Sequence, residues 1–97
     1  MRNPPDRKRK AAPPSDQVVN EAAALGRQVR EARKRLRLDQ EDVAFAAHVS
    51  PRTVFAIEKG KPTVRLDMLA RVLAAVGLRL SAERRDVVWQ PGAEERK

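Results

Sequence analysis

The outward side chains of Ser50-Pro51-Arg52-Thr53-Val54-Phe55-Ala56 suit recognition more than bond making. Arg52 carries a planar fork of donors, and that fork matches the O6 and N7 acceptors of guanine in a DNA major groove. Pro51, Phe55 and Ala56 offer only apolar contact, for example to a thymine methyl, and Ser50 sits beside them. If these five side chains face the bases, one arginine supplies much of the direct readout. Methyl contacts and DNA shape supply the rest. Gln40 and Thr53 suit phosphate contacts, which fix register without reading sequence. Lys59, Lys61, Thr63 and Arg65 follow as a groove-edge cluster. Any one of these lysines reads equally well as a solvated surface residue, so the cluster is the stronger signal.

Catalysis finds little support. The single histidine, His48, falls in a turn, and there is no cysteine nucleophile or phosphate-cradling glycine loop. Glu41 and Asp42 look like helix capping and solubility, not an acid–base pair. The expectation is a binding protein with no enzyme activity, no cofactor and no metal.

These side chains need short, firmly capped helices to hold them. Leu25, Val29, Ala32 and Leu36 recur at helical spacing, which predicts a first helix over 20–36 with Asn20 as its N-cap. Its basic residues lie mostly off that stripe. Arg33, Lys34 and Arg37, at its end, are expected at the DNA backbone, and Arg27 in solvent. Asp39 caps a second helix, with Asp42 in its first turn and Val43, Ala44 and Ala47 inward. Ala44 is small, as a sharp helix crossing requires. His48 and Val49 make the turn, with Val49 plugging the core. Ser50 caps a third helix with Pro51 at its first position, Val54 and Ile57 inward, and Gly60 left-handed at its end. Two helices meeting across so tight a turn predict a helix-turn-helix that lays its second helix in the major groove.

Lys61 and Pro62 form a linker, and Thr63 is a plausible cap for a fourth, amphipathic helix. That helix carries Leu66, Leu69, Val72, Leu73 and Val76 and ends at Gly77. After it, residues 78–83 alternate apolar and polar, the period of a strand. A lone strand in a helical chain has unmet backbone groups, which predicts pairing through Leu78, Leu80 and Ala82 with a second copy. A dimer would place two reading helices about 34 Å apart and require an inverted-repeat site on double-stranded DNA.

The bounds agree with this reading. Ninety-seven residues allow one small domain plus tails, and a net charge of +8 with a pI near 11.0 points to a polyanion. The expected organisation is a disordered basic arm over 1–19, the DNA-binding domain over 20–77, a dimerisation strand over 78–89 and a charged tail over 90–97. The arm contains Arg7-Lys8-Arg9-Lys10 and is read equally as a DNA-following arm or a solubilising tail. No run approaches the roughly 20 apolar residues that span a bilayer, so no membrane association is expected and the default compartment is cytoplasmic.

With these residues in view, the chain resembles the Cro/phage-repressor helix-turn-helix family over roughly 22–78. The resemblance is carried by Leu25-Gly26-Arg27-Gln28-Val29-Arg30, by Leu38 through Ala44, by Val49 through Val54, and by Ile57-Glu58-Lys59-Gly60-Lys61-Pro62. It implies a mostly α, phage-repressor-like bundle with its C-terminal strand paired across the dimer. Gly60 through Leu69, Val72-Leu73 and the segment after Gly77 are similar to the HipB-like antitoxins. That likeness implies repression of its own operon and neutralisation of a HipA-like kinase toxin. A solitary repressor and a purely protein-binding module are the competing readings. The chain departs from the family at His48 and Arg37, where glycine is usual and the backbone tends to be left-handed. It departs again at Phe45 and Phe55, where polar residues are usual. Exposed aromatics suggest partner contacts, which places Phe45 or Trp89 in a protein interface.

Overall fold

A computed structural model of the chain describes residues 12–84. Most of the basic arm, Val87-Val88-Trp89 and the charged tail lie outside the described residues. Four helices follow in order: α1 Asp16–Arg35, α2 Gln40–Ala47, α3 Pro51–Glu58 and α4 Leu66–Ala75. α1 packs on α3, and α2 packs on both α3 and α4. Val29, Ala32, Val43, Ala44, Ala47, Val54, Ile57, Val72, Leu73 and Val76 form the buried core.

α1 begins earlier than its apolar spacing predicts. Ser15, not Asn20, is the N-cap, and its hydroxyl accepts from the Val18 N–H at 3.2 Å. Asp16 adds a negative charge to the first turn, where the helix dipole favours it. The helix therefore takes in residues 16–19, which the sequence pattern assigns to the arm. At the other end Leu36 is not part of the buried stripe. It caps the helix and stays 51% exposed, and Leu38 packs against the core in its place.

All four helices close in the same way. A residue just beyond each helix end donates its N–H back five positions: Leu38 to Arg33 at 3.1 Å, Val49 to Ala44 at 3.1 Å, Lys61 to Ala56 at 3.0 Å and Leu78 to Leu73 at 2.8 Å. This closure needs a left-handed residue just before the donor. The residues there are Arg37 (φ 61°), His48 (φ 59°), Gly60 (φ 86°) and Gly77 (φ 83°). Arg37 and His48 thus take the backbone the family resemblance implies, at a cost of roughly 1 kcal/mol each.

The start signals of α2 and α3 form as expected. Asp39 and Asp42 exchange side-chain bonds with each other's N–H groups at 2.8 and 2.9 Å, a capping box. The Ser50 hydroxyl accepts from the Thr53 N–H at 3.2 Å, and Pro51 takes the first helical position. α4 differs from expectation. Thr63 does not cap it; Arg65 is the N-cap and makes no side-chain capping bond. Leu66 sits in the first turn, 67% exposed, and only the later members of its stripe reach the core.

Residues 78–84 are irregular, and there is no strand among the described residues. The alternation is present, but the helical remainder of the described chain offers no sheet edge to pair with. Leu78 packs against the core, Leu80 is 37% exposed and Ala82 is exposed. Residues 79–84 and the Glu21, Ala24, Leu25 and Gln28 positions of α1 line a common open groove.

Candidate nucleic-acid interface

α3 is held from three sides. Val54 and Ile57 anchor its inner face in the core. Its amino end is fixed by Ser50, whose oxygen also lies 3.1 Å from the Thr53 hydroxyl. Its carboxyl end lies directly against α1 at Gly26. A Cβ at Gly26 would sit 2.4 Å from the Ile57 carbonyl oxygen and 2.8 Å from that of Glu58. Only glycine allows this backbone-to-backbone approach. Gly60 is close to α1 as well, since a Cβ there would lie 3.0 Å from the Ala23 Cα.

The outer face of α3 presents Pro51, Arg52 and Phe55 to solvent. Arg52 has no hydrogen-bond or ion-pair partner among the described residues, so its guanidinium is available to a ligand. Phe55 is 51% exposed, and the Lys59 ammonium lies 5.6 Å from its ring centroid. Ala56 is half-buried. The Ser50 and Thr53 hydroxyls are already engaged with each other, and that of Ser50 with the helix cap.

The Arg33 side chain, expected at the DNA backbone, turns inward and acts as an internal strut. Its Nε donates to Glu58 Oε2 at 2.6 Å and its Nη2 to Glu58 Oε1 at 2.9 Å, while Nη1 donates to the Leu38 carbonyl at 2.9 Å. The two side chains are only 11% and 4% exposed. Gln40 Nε2 donates to Glu58 Oε1 at 3.0 Å, so this expected phosphate ligand is also committed inward. Glu58 therefore ties α1, α2 and α3 together. Burial alone pushes its carboxyl up. The hydrogen bonds from Arg33 and Gln40, with the charges of Arg33 and Arg30, outweigh that and hold it below the usual carboxylate range. The Glu58 hydrogen bond likewise raises Arg33, against its own desolvation.

Sequence reasoning assigns no role to Glu58 or to Gly26. The available signal is an acid at the end of α3 facing an arginine on α1, 25 residues away. Spacing along one helix cannot reveal such a pair.

Lys34, Arg37, Lys59, Lys61, Thr63 and Arg65 are all exposed. Arg65 donates to Asp67 at 2.9 Å, but both groups are well solvated, so that pair holds Arg65 only weakly. Phe45 projects from α2 with 86% of its surface exposed. Trp89 lies outside the described residues.

A small helical domain that mounts an exposed arginine on the outer face of α3 has the layout of a DNA-binding module. The helix-turn-helix family profile matches residues 29–82, more than half of the chain. The chain belongs to that family, of the Cro/C1 type, and is a DNA-binding transcription regulator. No curated protein matches it. Among the described residues, no helix is long and apolar enough to cross a membrane.

Proposed function

We propose that the protein is a sequence-specific repressor that binds an inverted-repeat operator as a homodimer. The observation that carries the sequence-specific binding is Arg52, exposed and unpaired among the described residues, on the outer face of a helix whose other sides are fixed. A bidentate contact from Arg52 to guanine orients the half-site, with Pro51 and Phe55 against neighbouring methyl groups. Arg52→Ala is expected to cost about 1–3 kcal/mol of operator affinity and to relax specificity at that base pair. A selection experiment on random duplexes supplies the operator, and titration of both proteins against it gives the number. Unchanged affinity and unchanged base preference in the variant would remove Arg52 from the reading role.

A second reading adds a toxin partner: an antitoxin that represses its own operon and neutralises a HipA-like kinase. It is favoured by Phe45, because a ring left 86% in solvent on a helix not needed for base reading suits a protein contact. Affinity capture from the native host tests it. A stoichiometric kinase-sized partner, absent from captures with Phe45→Ala, supports the antitoxin; recovery of the homodimer with DNA alone leaves the solitary repressor. On either reading the protein performs no catalysis.

A further inference from the structure

We propose that Arg27 and Arg30, on the solvent side of α1, grip a backbone phosphate of the bound duplex at the carboxyl end of α3. This rests on the DNA-binding reading and extends the binding surface beyond the helix-turn-helix itself. The two arginines lie on an open cleft of about 420 Å³ between α1 and α3. α1 contributes Arg27, Arg30 and Arg33 to its lining, and α3 contributes Phe55, Glu58 and, just past its end, Lys59. Arg33 and Glu58 neutralise each other in the wall of the cleft. Three cations therefore remain, Arg27, Arg30 and Lys59, all of them exposed. None of the three is in an ion pair among the described residues.

The cleft adjoins the reading face. Phe55 and Lys59 follow Arg52 at i+3 and i+7, so they share its side of the helix. A duplex seated on Arg52 brings its backbone past Phe55 to Lys59 and the cleft mouth. Phosphate is the ligand this chemistry selects: arginine forks bind it bidentately, and three uncompensated cations at one mouth favour an anion with spread charge. The simpler role for Arg30 is to lend its charge to Glu58, on which it acts. That role predicts a change in folding stability and none in the ionic-strength dependence of DNA binding.

The test is a fluorescence-anisotropy titration of a labelled random-sequence duplex with the full chain, repeated across salt concentrations. Wild type is compared with R27Q/R30Q and with R79Q, a control at an exposed arginine outside this cleft. The slope of log K against log salt should become shallower by about 0.9 for each phosphate the variant no longer neutralises. Affinity near ~0.15 M salt should fall roughly fivefold for each such phosphate, with R79Q unchanged. If the double variant melts below the assay temperature, R27Q alone removes the cation that does not act on Glu58 and reads the same slope. A variant that binds with the wild-type slope overturns this proposal and leaves the DNA-binding function standing. A wild-type chain that ignores the duplex overturns both.

Discussion

Glu58 accepts hydrogen bonds from residues of two neighbouring helices, and its ionisation follows from them. Removing Arg33 would leave a carboxylate in a poorly solvated place without its main donor. Arg33→Ala is expected to cost about 3 kcal/mol in chemical denaturation, as broken buried pairs do. The sign of the pH effect is fixed by the depressed carboxyl. Its contribution is complete above the unfolded value near ~4.3 and is lost as the pH falls through the lower folded value. Thermal melts of wild type should therefore drop steeply below about pH 4, and Glu58→Gln should melt lower at neutral pH with a flatter acid limb. Equal acid limbs would mean that other carboxylates dominate. The residues that make this strut are visible in the sequence, but their purpose is not. Arg33 looks like one more member of a basic helix face, because charge patterning shows a side chain's sign and not whether it points to solvent or to an acid 25 residues away.

Helices α2 and α3 are the most legible elements, since each start signal is local: an aspartate or serine with its partner three residues on. Val43, Ala44, Ala47, Val54 and Ile57 all bury as their spacing predicts. The ends of α1 are less legible. Ser15 outcompetes Asn20 because a free hydroxyl ahead of an acidic first turn starts a helix even where no apolar stripe has begun. Thr63 fails as a cap for the converse reason: the helix it would start begins later, behind Arg65. Gly26 is legible only as a residue in the resembling segment, because a close approach between helices leaves no mark on either one alone. Gly26→Ala is expected to destabilise the domain by about 1–3 kcal/mol, since the clash is with backbone oxygens that have little room to retreat. A denaturation midpoint within error of wild type would show that α1 can lift away from α3 freely.

At the scale of the whole molecule, the segment after α4 would set the spacing of two reading helices in the proposed dimer. Leu80 is 37% exposed on a segment that finds no strand partner among the described residues. If it pairs with a second copy, Leu80→Asp should shift sedimentation from dimer to monomer and weaken binding to an inverted repeat far more than to a single half-site. A variant that sediments as wild type would move the dimer contact elsewhere. Alternation is the only sequence signal for that strand, and it states only which face an extended segment would turn inward; the neighbour must come from elsewhere.

The bonding of Glu58 to both Arg33 and Gln40 has a kinetic and thermal corollary. A reading helix locked to its two neighbours has little freedom left to surrender when it meets DNA. Docking should then resemble the meeting of two rigid bodies. Calorimetry should find a heat-capacity change set by the buried area alone, without the excess that coupled folding adds. Association should be limited by electrostatically steered encounter, with no slow rearrangement afterwards.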